Sequence, residues 1–120
     1  MLINELSKRT GLSIHTIRFY EKSGLIEGKQ DRSVTSNKYF HYDEETVEKL
    51  EFISDAKSVG FTIKEIGQII NTWYNKKYTR KQKIDILDDK LNALEQKMKE
   101  IRLMKKQILQ FKEDVMHDRC

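Results

Sequence analysis

Residues 12–26, LSIHTIRFYEKSGLI, decide the fold of this chain. The spacing of apolar residues before them predicts a short helix from Ile3 to Arg9, and the link over residues 10–13 leaves room only for a tight turn. Ser13 is a suitable N-cap for a second helix, and Gly24 is a suitable residue to end it. Two helices joined so closely form a helix-turn-helix.

The second helix presents the side chains that a DNA-recognition helix needs. Its spacing allows Ile14, Ile17 and, as a further candidate, Phe19 to face a core. The side chains predicted to be exposed on it are His15, Thr16, Arg18 and Tyr20. A surface of this kind can enter a major groove.

Composition indicates a small, soluble, helix-rich protein of one domain plus one additional element. The 120 residues are 35% charged and 38% hydrophobic. No apolar run approaches the ~18 residues that span a bilayer, and no signal-peptide pattern opens the chain. The single cysteine, Cys120, excludes an intrachain disulfide and favours a reducing cytoplasm.

The net charge of +4 supports DNA binding only weakly when taken over the whole chain. Its distribution is more informative. Residues 1–42 contain seven Lys or Arg against four acids, whereas residues 43–60 are acidic. The local basic excess therefore lies with the helix-turn-helix.

A short β ribbon is predicted after the second helix. Residues 27–38 are polar and lack helical periodicity, and the aromatic segment Tyr39–Tyr42 that follows favours a strand. We expect Leu25–Ile26 to pair with this segment, which makes the motif a winged helix-turn-helix. The loop at the tip contains four polar side chains that could contact DNA phosphates or a minor groove. They are Arg32, Ser36, Asn37 and Lys38.

Two further helices are expected before a basic, aromatic hinge. Asp43 can cap the first, whose apolar face ends near Gly60. A capping box over Thr62–Glu65 can open the second. The sequence thus predicts a DNA-binding domain over residues 1–75, a hinge over 76–78, a coiled-coil helix over 79–117 and a tail over 118–120.

The last predicted element is a long helix with one apolar stripe. A capping box over Thr79–Gln82 begins it, and a helix from Arg80 to His117 would be roughly 57 Å long. Its apolar residues recur at spacings of three and four, with one phase slip, as in a coiled-coil seam. Because no other segment remains to cover the stripe, we expect a homodimer. The seam residues are Ile84, Leu87, Leu91, Leu94, Met98, Ile101, Met104, Ile108, Phe111 and Val115.

Several of these segments resemble the MerR family of bacterial transcription regulators. Residues 3–13, 16–21 and 24–26 are close to the opening signature of that family, and the resemblance continues through Tyr39 and Tyr42 to the long helix. It implies a mainly α fold, a winged helix-turn-helix domain followed by a long helix that forms an antiparallel coiled-coil dimer. It also implies that each domain reads one half of a palindromic promoter site. Effector-dependent bending and untwisting of that DNA would align promoter elements for RNA polymerase.

The resemblance implies DNA-contact roles for particular side chains. His15, Thr16 and Arg18 would lie in the groove, and Tyr20 would contact the backbone. The remaining contacts would come from Arg32, Asn37 and Tyr39 in the wing and from Lys57 after it. Alternatives stay open, because Arg18 can be a solvated charge, Tyr20 a core residue and His15 inert. The wing is longer than is usual in the family, has no proline, and has Lys38 and Phe40 where glycine and arginine are common.

An effector site is expected near the hinge, where Trp73, Tyr74 and Tyr78 are candidates. The alternative is that Trp73 packs against the coiled coil of a partner. Metal-sensing members of the family use a thiolate at the start of the long helix, where this chain has Thr79. His117 and Cys120 form an isolated pair in the tail, so we expect no metal site and no cofactor.

The predicted function is sequence-specific transcription regulation by a cytoplasmic homodimer. The competing interpretation is an architectural or recombination accessory protein of the excisionase type, and the long helix favours the regulator. We predict that the chain is not an enzyme. It has no glycine-rich phosphate loop, no nucleophile with a partnered base and no carboxylate pair in a defined pocket.

Overall fold

The computed structural model describes residues 1–30, 40–73 and 78–119. The chain forms two compact units, Met1–Lys77 and Tyr78–Cys120. The boundary between them falls within residues 76–78, the segment predicted to be a hinge. Each unit is built mainly from helices.

Five helices and one two-stranded ribbon make up the described part of the chain. In chain order they are α1 (Ile3–Thr10), α2 (Ile14–Lys22), β1 (Lys29–Gln30), β2 (Phe40–His41), α3 (Glu44–Ser58), α4 (Ile63–Trp73) and α5 (Arg80–Met116).

The turn between α1 and α2 forms where the sequence predicts it. Helix α1 runs one residue further than expected, to Thr10, and Gly11 follows in the left-handed conformation with a φ of 74°. The Ser13 hydroxyl then caps α2 by accepting a hydrogen bond from the Thr16 backbone N–H at 3.1 Å. The end of α1 and the start of α2 thus each have a suitable residue. Glycine tolerates the positive φ after α1, and serine caps the N-terminus of α2.

The ribbon is real, but its first strand was predicted in the wrong place. Strand β1 consists of Lys29 and Gln30, paired antiparallel with His41 and Phe40, respectively. Leu25 and Ile26, predicted to form that strand, are buried in the core instead. The core takes up these two apolar side chains, whereas all four residues of the ribbon are exposed.

The core of the first unit draws on all four of its helices. Its fully buried large side chains are Leu6 from α1, Ile17 from α2, Leu50 and Ile53 from α3, and Ile66 from α4. Leu25, Ile26 and Tyr42 join the same cluster from the segments next to the ribbon. Burial of this apolar surface is what fixes the angle between α1 and α2.

Helices α3 and α4 begin at the caps that the sequence predicts. An Asp43 carboxylate oxygen accepts a hydrogen bond from the Thr46 N–H at 3.0 Å, and this bond lowers the pKa of Asp43. At α4, the Thr62 N–H donates to Glu65 Oε1 at 2.9 Å while the Glu65 N–H donates to Thr62 Oγ1 at 3.1 Å. Helix α3 ends at Ser58, and Gly60 reverses the chain with a φ of 93°.

The second unit is dominated by α5, a helix of 37 residues and hence about 55 Å long. It opens with the predicted capping box, in which Thr79 and Gln82 exchange hydrogen bonds of 2.8 and 3.2 Å. It ends at Met116, one residue earlier than predicted, with His117 as its C-cap. None of its residues is buried.

The predicted seam of α5 is open to solvent along its length. Nine of its ten residues are exposed in the chain, and the tenth, Leu94, is half-buried. Within the described residues, no helix is both long enough and apolar enough to cross a membrane.

Candidate nucleic-acid interface

One face of α2 is exposed and carries positive charge. Its side chains are separated by three, four and seven positions, which places them on the same side of a helix. They are His15, Arg18, Phe19 and Lys22, all of them exposed. Thr16 is half-buried at the edge of this face, where its hydroxyl accepts a hydrogen bond from the Ser13 hydroxyl at 2.9 Å.

Tyr20 and Phe19 occupy the opposite places from those that the sequence suggested. Tyr20, predicted to be exposed, is only 4% exposed to solvent, whereas Phe19, a candidate for the core, is 50% exposed. The reason is helical spacing. Tyr20 lies three residues after the fully buried Ile17 and shares its inward face, while Phe19 lies four residues after the exposed His15.

Lys57 lies next to the recognition helix although it belongs to α3. It is exposed, and its Nζ is 6.0 Å from the centroid of the Tyr20 ring. A cation at this distance from an aromatic face is weakly attracted to it. The contact with Tyr20 thus keeps Lys57 near α2, and Lys57 adds a positive charge beside the exposed α2 face.

The base of the ribbon is joined to α2 through a buried tyrosine. The Tyr42 hydroxyl donates to the Glu21 carboxylate, with both oxygens at 3.1 Å. Burial and the neighbouring Glu21 charge together raise the pKa of Tyr42 to about 12. Gly28 packs so closely here that a Cβ would lie 2.9 Å from Glu21 Oε1 and from side-chain atoms of Phe40 and Tyr42. The position of the ribbon relative to α2 is therefore fixed by specific contacts.

The N-terminal residue of the chain is hydrogen-bonded to Tyr42 near the same contacts. The Tyr42 backbone N–H donates to the Met1 carbonyl oxygen at 2.8 Å. Arg18 and Glu21 line a cleft of about 570 Å³ here, together with Asn4 and Phe40. Arg18 therefore stands where the recognition helix and the ribbon meet.

Arg9, a basic residue of α1, is already engaged within the protein. Its guanidinium pairs with the Glu44 carboxylate through two hydrogen bonds, one of them 2.7 Å long between Nη2 and Oε2. This hydrogen bonding raises the pKa of Arg9 and lowers that of Glu44. The pair joins α1 to the first turn of α3, so Arg9 has a structural partner and is not counted with the cations of α2 and Lys57.

Several predicted site residues lie outside the described part of the chain. They are Arg32, Ser36, Asn37, Lys38 and Tyr39 of the wing and Tyr74 of the predicted effector site. Of the other two effector candidates, Trp73 packs against Phe52 with 5.8 Å between ring centroids, and Tyr78 is half-buried in the second unit. The described residues contain no group of three or more His, Cys, Asp or Glu that could hold a metal ion.

Sequence reasoning missed three residues at this site. Phe19 and Lys22 complete the exposed face of α2, and Glu21 holds the ribbon. Helical spacing from His15 would have identified the first two, since they follow it by four and seven positions. Glu21 gave no such signal, because its partner Tyr42 is 21 residues away in sequence.

A helix-turn-helix with a charged recognition face and a ribbon fastened beside it defines a winged helix-turn-helix DNA-binding protein. Family models agree with this class. The model for the MerR HTH family regulatory protein matches residues 1–73, and the model for the MerR DNA-binding region matches residues 47–111. The chain belongs to the MerR family, and it is a DNA-binding transcription regulator.

Individual relatives support the same assignment. The chain is 33% identical over 101 residues to the HTH-type transcriptional regulator HmrR of Rhizobium leguminosarum bv. viciae, covering 84% of this chain and 75% of that protein. It is 27% identical to the transcription regulator PbrR691 of Ralstonia metallidurans CH34, solved in complex with lead(II), with a TM-score of 0.83 over 95% of this chain and 87% of that one. These relatives are regulators and not enzymes.

A third structure shares the fold at lower identity. It is HiNmlR, a MerR family regulator lacking the sensor domain, solved bound to promoter DNA. The TM-score is 0.63 at 16% identity, covering 85% of this chain and 75% of that one. This chain therefore shares its fold with a protein whose solved structure includes promoter DNA.

Proposed function

We propose that the protein acts as a homodimer on a palindromic promoter site. Two α5 helices form an antiparallel coiled coil, and each N-terminal unit reads one half-site. Binding of an effector then bends and untwists the DNA between the half-sites, which aligns the promoter for RNA polymerase. Such a regulator works in the cytoplasm, where promoter DNA and polymerase are found.

The observation that carries this proposal is the open apolar seam of α5. Nine large apolar side chains at coiled-coil spacing are exposed on a helix that buries none of its residues. In proteins, most helical stability comes from packing of an apolar face. A second copy of the same helix supplies a matching seam, and two-fold pairing is the commonest way in which chains cover such a surface.

The exposed face of α2 supports the DNA-binding half of the proposal. Arg18 and Lys22 present two cations on the face that enters a major groove, with His15 at its start and Thr16 at its edge. Lys57 reaches a phosphate from beside this helix. Tyr20 has a reduced role, because a residue exposed by only 4% can offer DNA little contact surface.

The wing residues Arg32, Asn37 and Tyr39 remain part of the proposed contact set. The two strands place both ends of their loop beside α2, since β1 and β2 are paired and Tyr42 is hydrogen-bonded to Glu21. Contacts from a wing fix register on phosphates or in the neighbouring minor groove. The effector role of Trp73, Tyr74 and Tyr78 stays a prediction.

The cysteine content of the chain bears on the effector, because one relative was solved in complex with lead(II). Soft metal ions select thiolate ligands, and a site of that type needs at least two of them. These 120 residues contain one cysteine. They therefore cannot supply a site of two thiolates within one protomer.

Selection of binding sites from random DNA duplexes tests the proposal directly. We expect the full chain to enrich an inverted repeat, because two equal reading faces related by a two-fold axis require a symmetric site. Cutting the enriched site to one half should lower affinity by about 10²-fold or more, since the second half binds at high effective concentration. Enrichment of a single asymmetric half-site, with no gain from adding the second, would contradict the dimeric reader.

DNA shape gives a second measurement that separates the regulator from the architectural alternative. Gel mobility of circularly permuted duplexes reports the bend angle of the bound DNA. We expect this angle to change when candidate effectors are added one at a time. The candidates are metal ions, oxidants and lipophilic cations. A fixed bend, unchanged by any candidate, would favour an excisionase-like accessory protein.

A further inference from the structure

Phe19 is a large aromatic side chain without a place in the core. It is 50% exposed, whereas the next residue, Tyr20, is 4% exposed. It is absent from the group of partly buried apolar residues that pack against the core cluster, which includes Phe52 and Phe61. Core packing therefore does not account for an aromatic residue at this position.

The location of Phe19 is the middle of the exposed α2 face. His15 lies four residues before it and Lys22 three residues after it, so all three point to the same side of the helix. Arg18 adjoins it in sequence and is also exposed. Any surface that meets this face must therefore accommodate an apolar ring among cations.

The backbone of Phe19 is held by hydrogen bonds, and its ring lies beside a buried one. The Phe19 carbonyl oxygen accepts hydrogen bonds from the Ser23 N–H at 2.9 Å and from the Ser23 hydroxyl at 2.7 Å. Its ring lies 5.8 Å from the buried Tyr20 ring, tilted by 55°. A side chain with two rotatable bonds on such a fixed backbone loses little conformational entropy when it binds.

The chemistry of the major groove offers such a ring one apolar partner. Base edges there present hydrogen-bond donors and acceptors, and thymine adds its C5-methyl group. A phenyl ring cannot form the bidentate hydrogen bonds that arginine makes to guanine, but it can cover a methyl group. We infer that Phe19 is a specificity-determining residue that contacts the C5-methyl group of a thymine in each half-site. This inference rests on the proposed entry of the α2 face into the major groove.

Replacement of thymine by deoxyuridine tests the inference, because it removes the methyl group and keeps the base pair. The probe is the inverted repeat enriched from random duplexes, with each symmetry-related pair of thymines replaced in turn. At one symmetry-related pair, the replacement should lower the affinity of the unaltered protein by about fourfold for each half-site. This factor corresponds to the transfer free energy of one buried methyl group. The Phe19→Ala protein should bind the thymine and deoxyuridine duplexes equally at that pair.

Two further variants serve as controls. Phe19→Leu keeps an apolar side chain and should retain part of the methyl dependence. Lys22→Ala removes a neighbouring cation and should weaken binding to both duplexes by the same factor, because an ammonium group gains nothing from packing on a thymine methyl group. Thermal unfolding of each variant checks that the domain is intact.

The outcomes separate this inference from the proposed function. An enriched inverted repeat at which no thymine replacement weakens binding would overturn the role of Phe19 alone. The same holds if Phe19→Ala keeps the full dependence on the methyl group. Failure to enrich any inverted repeat would instead contradict the dimeric reader on which the inference rests.

Discussion

The two units of this protein treat their apolar residues in opposite ways. Residues 1–77 bury Leu6, Ile17, Leu50, Ile53 and Ile66 completely, although the unit is small. Helix α5 is similarly periodic in its apolar residues and buries none of them. One unit completes its own core, whereas the other has an apolar surface that only a further chain segment can cover.

The difference follows from how the apolar positions are arranged. In α1 to α4 the apolar faces are short and belong to four helices that turn back on one another at Gly11, Gly24 and Gly60. In α5 the apolar positions continue from Ile84 to Val115, about nine turns, without a break that would let the helix fold back. Chain reversals therefore separate a unit that closes its own core from a helix that leaves its apolar stripe exposed.

Placing a charge on the seam should have the largest effect. Leu91→Glu puts a carboxylate into the proposed coiled-coil interface, where burying an unpaired charge is costly. We expect the dimer to dissociate and affinity for the inverted repeat to fall by about 10²–10⁴-fold, the gain that linked binding provides. Sedimentation and DNA titration measure the two effects.

Leu103→Glu is the matched control for that experiment. Leu103 is 67% exposed and Leu91 63% exposed in the chain, but Leu103 lies off the seam. Its replacement should leave both mass and affinity nearly unchanged. Equal effects of the two substitutions would mean that the seam has no special role.

Truncating the core of the first unit should have the next largest effect. Leu50→Ala removes a fully buried side chain of α3 and should lower the free energy of unfolding by about 2–5 kcal/mol. Leu103→Ala, off the seam of α5, should change it by less than about 0.5 kcal/mol. Urea unfolding followed by circular dichroism measures both, and a small loss for Leu50→Ala would indicate a loosely packed core.

Removing the central cation of the α2 face should weaken DNA binding without changing the fold. We expect Arg18→Ala to lower affinity about tenfold, since one specific contact to a base or phosphate contributes about 1–3 kcal/mol. Lys64→Ala removes an exposed lysine of α4 and serves as the charge control. Equal affinities of the Arg18→Ala and unaltered proteins in a gel-shift titration would remove Arg18 from the interface.

The hydrogen bond from Tyr42 to Glu21 should give the smallest of these effects. Tyr42→Phe should cost about 1 kcal/mol of unfolding free energy near neutral pH, because Glu21 is half-buried and water can replace part of the lost bond. The pKa of Tyr42 is raised from 10.0 to about 12 in the folded chain, so the unfolded chain loses this proton first as the pH rises. The stabilisation is therefore present below pH 10.0 and disappears as the pH approaches 12.

Urea unfolding at several alkaline pH values measures that dependence. The difference in stability between the unaltered protein and Tyr42→Phe should shrink from pH 10.0 to about 12. Tyrosinate absorbance of the folded proteins should also differ. The late-titrating tyrosine seen in the unaltered protein should be missing from Tyr42→Phe. A difference independent of pH would show that Tyr42 is not held as a protonated donor.

Local chemistry made much of the fold predictable from the sequence. Ser13, Asp43 and Thr79 each act as the N-cap that their residue types suggested. Errors arose where two interpretations of an apolar residue competed. Leu25 and Ile26 suit a strand by propensity, but the core buries them, and the strand forms from Lys29 and Gln30 instead.

The candidate site was predictable only in part for a similar reason. The pair Phe19–Tyr20 contains two aromatic residues of similar size, and composition alone does not decide which of them faces inward. The fully buried Ile17 decides it in favour of Tyr20. Contacts between distant segments, such as Glu21 with Tyr42, depend on packing and leave no local pattern in the sequence.

The solution mass of the protein tests the central claim most directly. Each chain has a mass of 14.3 kDa, and sedimentation equilibrium at micromolar concentrations should report twice that value. A mass that stays at 14.3 kDa over this range would contradict the account, because the seam of α5 would then remain uncovered in solution.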